Sequence, residues 1–145
     1  MPSEAVNEAT RREWRELGFF YDRDDNAKRW HIVGSPEGLR SFAKLVAAYS
    51  ADPNDDALSE HAHFGPYMYL ELGTWGMPEI TDHWVAGPLS SLAALAQHIE
   101  RSIPSMRVGG ATSVRSAFAP DAAYDLVLEL RADSFDPARE DPNCW

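Results

Sequence analysis

Two amphipathic helix patterns, each entered through a glycine and a proline, constrain the fold of this chain more than any other feature. Gly34-Ser35-Pro36 opens the first pattern, with Ser35 as the predicted N-cap. Gly87-Pro88 opens the second. The apolar stripes have helical spacing and consist of Leu39, Phe42, Ala43 and Val46 in the first pattern and Leu92, Leu95, Ala96 and Ile99 in the second. An offset of 53 residues superimposes them, which we interpret as similarity of architecture because shared packing rules can produce it.

Strand-forming segments accompany both helices. They are rich in aromatic and β-branched residues or alternate between polar and apolar residues, and turn residues separate them. The predicted strands cover residues 17–22, 29–33, 66–73, 79–86, 106–119 and 124–130. The first two pairs are hairpins whose second strand leads into a helix. The order ββαββαββ predicts an α+β fold, with an antiparallel or mixed sheet of about six strands and two main helices packed on one face.

The two ends of the chain give different predictions. Ser3 followed by an acid suits an N-cap and a first turn, which predicts a short helix over residues 3–17. Residues 134–145 contain two Asp-Pro steps and no apolar periodicity. We therefore predict a single globular domain over residues 1–133 and an extended C-terminal tail over residues 134–145.

Composition excludes several classes of protein. The single cysteine, Cys144, excludes a disulfide framework and a four-thiolate zinc site within one chain. No apolar run approaches the ~18 residues of a membrane span. Residues 1–12 lack the apolar core of a secretory signal. The expectation is a cytoplasmic protein with no membrane partner.

Negative charge is concentrated in the middle of the chain. The net charge is −10, which disfavours nucleic acid as a partner. Between Lys44 and Arg101 the sequence contains no Lys or Arg. The acids of residues 51–100 are Asp52, Asp55, Asp56, Glu60, Glu71, Glu79, Asp82 and Glu100. Such a segment can speed the encounter with a basic partner, and the alternative is an acidic surface that only keeps the protein in solution.

The segment Glu60-His61-Ala62-His63 is the main candidate for metal chemistry. In an extended strand both imidazoles project to the same side, about 6.5–7 Å apart, so they could share a metal ion. His83 is the first candidate for a third ligand, but the predicted hairpin register places it opposite Met68, roughly 16 Å from His63. Glu60 or another acid of the loop is a further candidate. His61 and His63 therefore form either a weak metal site or an ordinary surface pair.

No other arrangement in the sequence indicates catalysis. No serine lies in a G-x-S-x-G elbow, and Gly109-Gly110 is too short to hold a phosphate. Cys144 lies in the predicted tail, where nothing rigid presents a base to it. We therefore expect no enzymatic activity and no cofactor.

Of the five tryptophans, Trp75 is the candidate for a binding residue. It lies in the predicted turn at residues 74–78, where burial in a core is difficult. An exposed indole can anchor a protein partner, and the alternative is a turn folded back over the sheet edge. Together with the acidic segment it defines the predicted partner-binding residues, which are Asp52, Asp55, Asp56, Glu60, Trp75 and Glu79.

Three short motifs lie in the middle of the chain: a Gly-Ser helix entry at Gly34-Ser35, a Gly-Leu pair one turn later, and the histidine-containing strand EHAHFGPYMYLEL. With these motifs, about residues 30–103 resemble small immunity proteins of bacterial polymorphic toxin systems. The resemblance implies a cytosolic protein that binds a partner toxin domain and blocks it without catalysis or cofactor. It assigns no binding residues, and the inserted Gly65-Pro66 departs from the pattern.

Two functions therefore remain open. The first is a non-catalytic inhibitor that neutralises a toxin through its acidic surface. The second is a small-molecule- or metal-binding domain that uses the region of His61 and His63 and could be enzymatic. Self-association, which would give a homo-oligomer, stays a third alternative.

Overall fold

Two four-stranded mixed sheets and three long helices form the fold, in a computed structural model that describes residues 3–145. The α-helices over these residues are α1 (Glu4–Leu17), α2 (Pro36–Ala51), α3 (Leu89–Ser102) and the short α4 (Arg115–Phe118). The strands are β1 (Phe20–Asp24), β2 (Arg29–Gly34), β3 (His61–Phe64), β4 (Leu70–Thr74), β5 (Glu79–Ile80), β6 (Val85–Gly87), β7 (Ala111–Ser113) and β8 (Asp125–Leu130). The fold is α+β, as predicted.

The helices begin where the capping residues predict. The hydroxyl of Ser3 accepts a hydrogen bond from the Val6 N–H, and that of Ser35 accepts one from the Gly38 N–H. Gly18 ends α1 in the left-handed conformation, with φ of 89°. The Gly-Ser entry of α2 is therefore a capping device, which explains that motif by the fold alone.

The two sheets share one pattern of pairing. The first sheet has the order β1-β2-β8-β7 and the second has the order β3-β4-β6-β5. In each sheet the central pair is parallel and both outer pairs are antiparallel. Each sheet thus contains one hairpin that leads into a helix and one hairpin that comes from the other half of the chain.

The chain consists of two ββαββ units that exchange their last hairpins. The first unit, residues 20–74, contains β1, β2, α2, β3 and β4, and the second, residues 79–130, contains β5, β6, α3, β7 and β8. The β3–β4 hairpin pairs with β6 of the second unit, and the β7–β8 hairpin pairs with β2 of the first. The prediction of a single sheet of about six strands is therefore wrong in strand number and sheet number.

The predicted hairpin of residues 66–73 with 79–86 is absent from the described residues because both segments break. Residues 66–68 form a 3-10 turn in which Tyr67 and Met68 have φ of 65° and 58°, so the strand begins only at Leu70. The second segment divides into β5 and β6 at a turn closed by the hydrogen bond from Thr81 N–H to Trp84 O. β4 then pairs in parallel with β6, with Leu72 opposite Val85.

The segment at residues 106–119 also differs from its prediction. Only Ala111–Ser113 form a strand, and Arg115–Phe118 turn into α4. The apparent alternation of Val114 and Phe118 has a helical cause, because residues four apart lie on one helix face and both side chains are buried.

Both predicted helix stripes lie in the hydrophobic core. α2 packs against β2, α3 packs against β6, and the two helices pack against each other. All eight stripe residues are buried, together with the inward residues of the central strands. Among those fully buried in the core are Ile32, Leu70, Leu72, Val85, Leu126 and Leu128.

The C-terminal segment packs on the domain, which corrects the prediction of an extended tail at residues 134–145. Two 3-10 turns, Pro137–Glu140 and Pro142–Cys144, lie against α1. Asp141 is 3% exposed and accepts hydrogen bonds from Trp14 Nε1 at 2.9 Å and from the Tyr67 hydroxyl at 2.6 Å. The Asp-Pro steps act as caps of these turns, which is why the segment lacks helical periodicity and is nevertheless ordered.

Within residues 3–145, every helix is too short or too polar to cross a lipid bilayer.

We expect Gly38→Ala to lower the free energy of unfolding by about 1–2 kcal/mol. Alanine favours a helix over glycine by roughly 1 kcal/mol, but a Cβ at position 38 would lie 2.3 Å from the carbonyl oxygen of Gly18. A backbone atom cannot move aside cheaply, so overpacking outweighs the helix propensity. Urea denaturation measures the change, with Gly76→Ala as the control because no atom lies within 4 Å of a Cβ there. Stabilisation by Gly38→Ala would contradict the close contact of α1 with α2.

We expect Asp141→Ala to destabilise the protein by about 2–3 kcal/mol, since it leaves the buried Trp14 Nε1 without an acceptor. Thermal and urea unfolding measure the loss. Asp133→Ala is the matched control, because the Asp133 side chain is exposed and makes no hydrogen bond within residues 3–145. Equal stability of the two variants would mean that the C-terminal segment does not hold the domain together.

Candidate functional site

The acidic loop, residues 52–60, is tied to the end of β4 by hydrogen bonds to Thr74. The Thr74 N–H donates to Glu60 O at 2.8 Å, the Ser59 N–H donates to Thr74 O at 2.9 Å, and the Thr74 hydroxyl donates to Asp55 O. The Tyr49 hydroxyl lies 2.8 Å from both Glu60 O and Thr74 Oγ1. Thr74 and Tyr49 are buried, so the loop rests on a rigid support.

Trp75 follows Thr74 directly and therefore stands beside the acidic loop. Its indole is 40% exposed and packs against the Trp84 ring, with ring centroids 5.8 Å apart. Trp84 in turn donates from Nε1 to Glu79 Oε1 at 2.6 Å. Trp75 is thus partly covered by Trp84 and partly exposed. This position lies between the two alternatives considered for it, an exposed indole and a turn folded back over the sheet edge.

The predicted partner-binding residues meet at one end of the second sheet. Thr74 connects the acidic loop to Trp75, and Trp84 connects Trp75 to Glu79. Two exposed apolar residues lie beside them: Leu58 of the acidic loop is 67% exposed, and Met77, between β4 and β5, is 73% exposed. We call this set the acidic–aromatic surface; it consists of Asp52, Asp55, Asp56, Leu58, Glu60, Trp75, Met77 and Glu79.

The carboxylates of this surface are not neutralised by the protein itself. Within residues 3–145, none of Asp52, Asp55, Asp56 and Glu60 forms an ion pair with Lys, Arg or His. Partial burial, followed by the negative charges of Asp52 and Glu60, raises the pKa of Asp55 above its ordinary value. Repulsion from Asp52 and Glu60 therefore adds to the cost of burial at the Asp55 carboxylate.

His61 and His63 form a cluster with Glu71, which was not among the third ligands expected from the sequence. β3 pairs with β4 so that His63 lies opposite Glu71, and the possible ligand atoms of the three side chains lie within 4.8 Å of one another. The two imidazole rings meet edge to face with centroids 5.2 Å apart. His83 stacks on Trp84 instead, and Glu60 stays in the acidic loop, so neither of the proposed third ligands belongs to the cluster.

The missed glutamate has a local explanation. Gly65-Pro66 separates two short extended runs, and a hairpin closed around that turn places residue 63 opposite residue 71. That signal was present in the sequence, but the alternation of residues 66–73 suggested that the turn was already part of a strand.

A separate aromatic cavity of about 610 Å³ lies between α1, β1, β2 and the C-terminal segment. Several of its polar groups are paired within the fold: Trp14 and Tyr67 donate to Asp141, and Arg23 binds Asp25. Burial and the hydrogen bond to Asp141 raise the pKa of Tyr67, so its hydroxyl stays protonated as the donor. The cavity contains no residue of the acidic–aromatic surface.

Comparisons of the chain with protein-family models, with curated proteins and with solved structures found no match. The function is therefore inferred from the chemistry of the surfaces just described.

We expect Asp55→Asn to increase stability at neutral pH and to have little effect at acid pH. A carboxyl group whose pKa is raised by folding binds its proton more tightly in the folded state, so stability falls as pH rises through the ordinary pKa of 3.8 and up to the folded value. Asparagine does not ionise, so the variant does not lose this stability as pH rises. Urea denaturation at several pH values measures the difference, and added salt reduces it by screening the repulsion from Asp52 and Glu60. Destabilisation at neutral pH would contradict this repulsion.

Proposed function

We propose that this chain is a non-catalytic inhibitor that binds and neutralises a basic toxin domain, in the manner of the immunity proteins that residues 30–103 resemble. The observation that carries the proposal is the rigid acidic–aromatic surface, in which unpaired carboxylates adjoin a half-exposed indole. We place this activity in the cytoplasm, with a protein as the partner and neither nucleic acid nor membrane.

The two parts of the surface have different roles in binding. The exposed carboxylates of Asp56 and Glu60 attract a cationic cleft over a distance of about one Debye length and so raise the association rate. A nuclease toxin presents such a cleft, because it must bind phosphate groups. Trp75 supplies the apolar contact that holds the complex once it is formed.

Rigidity supports the same proposal. Hydrogen bonds from Thr74 and Ser59 hold the acidic loop before any partner binds. A loop that is already ordered loses little conformational entropy on binding, so more of the interaction free energy is expressed as affinity. A loop that served only to keep the protein in solution would not need this support.

The alternative function, a metal- or small-molecule-binding domain, has one observation in its favour. That observation is the cluster of His61, His63 and Glu71, which is argued separately below because it does not involve the acidic loop.

The proposal predicts that a toxin domain is encoded immediately upstream of this gene, and the direct test uses that domain. Co-expression with this chain should restore growth of cells that express the toxin domain, and the purified proteins should bind one to one. Growth arrest that persists with the wild-type chain present, together with an absence of binding, would overturn the proposal. A self-associated chain that does not bind the toxin domain would favour the homo-oligomer.

We expect Asp56→Lys/Glu60→Lys to reduce the association rate about tenfold at low salt and much less at high salt, with little change in dissociation. Both side chains are exposed and make no hydrogen bond within residues 3–145, so folding is preserved. Glu8→Lys/Glu16→Lys is the matched control, because it changes the charge equally on α1. Gly18, which follows α1, contacts Gly38 near the start of α2. The acidic loop begins at the opposite end of α2, about 20 Å away.

We expect Trp75→Ala to act on dissociation instead, with a loss of about 2 kcal/mol in affinity and little salt dependence. Tyr69→Ala is its control, since Tyr69 is 67% exposed and stands at the opposite end of β4. Surface plasmon resonance at two salt concentrations measures both rates for all variants. Unchanged kinetics in both test variants, with folding intact, would show that this surface does not contact the toxin.

A further inference from the structure

We propose that His61, His63 and Glu71 bind a divalent transition-metal ion of the zinc class on the outer face of the second sheet. Two imidazole nitrogens and one carboxylate oxygen are ligands that zinc commonly takes, and sites with three protein ligands leave a further position open. This site goes beyond partner binding and does not depend on it.

The strand pairing sets the geometry of the three ligands. His61 and His63 are two residues apart on β3 and so project to the same face, and Glu71 projects to that face from β4. His61 Nε2 lies 3.9 Å from Glu71 Oε1. Ligand atoms around a tetrahedral zinc ion with bonds of about 2.0–2.1 Å are roughly 3.4 Å apart. Binding of the ion would therefore require the side chains to move so that separations of up to 4.8 Å shorten to this value.

The hydrogen bonds of the two histidines prepare both rings as ligands. His61 Nδ1 lies 3.0 Å from Ser59 O, and His63 Nδ1 lies 3.0 Å from Met68 O. A carbonyl oxygen can only accept, so in the neutral ring each Nδ1 carries the proton and each Nε2 presents a lone pair. This arrangement, with a backbone carbonyl behind each ligating imidazole, fixes the tautomer and the orientation of metal-bound histidines.

The backbone that supplies one of these carbonyls is strained. Tyr67 and Met68 are consecutive non-glycine residues with φ of 65° and 58°, a conformation that costs energy for residues with a Cβ. The turn brings the Met68 carbonyl to His63 Nδ1, across the start of the β3–β4 hairpin. The strain is thus located at the residues that orient one of the proposed ligands.

Glu71 gives a third reason for a cation at this position. Its side chain is only 14% exposed, and within residues 3–145 its carboxylate accepts no hydrogen bond. The nearest group that can carry positive charge is the His61 imidazole, at 3.9 Å. No Lys or Arg of the described residues pairs with this carboxylate, and a metal ion coordinated by it and by the two imidazoles would supply the positive charge that the fold does not place there.

The Trp84 ring bounds the cluster on one side. The residue of β4 opposite His61 is Gly73, which has no side chain on this face. The Trp84 ring covers Gly73, since a Cβ there would lie 2.2 Å from the ring, and it forms a wall beside the cluster. The opposite face of β4 carries Leu70 and Leu72, which are buried in the core. The ligands therefore project from a rigid strand pair rather than from a loop.

Calorimetric titration of the untagged, metal-free protein with Zn²⁺ tests the site. We expect one ion per chain. Glu71→Gln should weaken binding at least about tenfold, and His61→Ala/His63→Ala should abolish it. His83→Ala is the matched control, because that exposed histidine stacks on Trp84 outside the cluster, and it should bind Zn²⁺ as the wild type does.

Imidazole nitrogen NMR provides a readout that does not depend on affinity. Before metal is added, both histidines should show the Nδ1–H tautomer, and Zn²⁺ should shift the two Nε2 resonances. The Co²⁺ derivative should show visible absorption bands that the double variant lacks. Failure of the wild type to bind Zn²⁺, retention of binding by the double variant, or loss of binding in His83→Ala would each overturn the proposal.

Discussion

The parallel pairing of strands from different halves of the chain is the constraint on which the rest of the structure depends. β2 pairs with β8 over six residues, from Arg29 with Asp125 to Gly34 with Leu130, and β4 pairs with β6. Because each parallel pair lies at the centre of its sheet, neither half of the chain can complete a sheet by itself. Helices α2 and α3 are then brought together between β2 and β6, and one continuous core results.

Features that depend on local periodicity could be predicted from the sequence. The stripes of α2 and α3 and the serine caps at residues 3 and 35 follow from residues within one or two helical turns of each other, and the α+β class follows from the order of such local segments. The same is true of the pairing of His61 with His63, since residues two apart on a strand share a face. The physical signal in each of these cases is complete within a short segment.

Features that depend on distant pairing could not be predicted in this way. Leu72 is adjacent to Val85 because β4 and β6 are parallel, whereas the short turn between the segments suggested a hairpin. The loop carbonyl of Asp55 and the Thr74 hydroxyl are 19 residues apart in sequence, and such contacts between distant residues place the acidic loop beside Trp75. The C-terminal segment is held by Asp141 and the distant Trp14, so its order has no local periodic signal.

Exchange of hairpins between two similar units has a consequence for symmetry. A single ββαββ unit that paired with a second copy of itself would build both sheets reciprocally, as a twofold homodimer. Such a dimer would carry identical loops at both ends. In the present chain the offset of 53 residues maps the acidic loop and β3 onto residues 105–117, where the charged residues are Arg107 and Arg115. Because both units lie in one polypeptide, the two equivalent ends of this arrangement can carry different side chains, with acids at one end and arginines at the other.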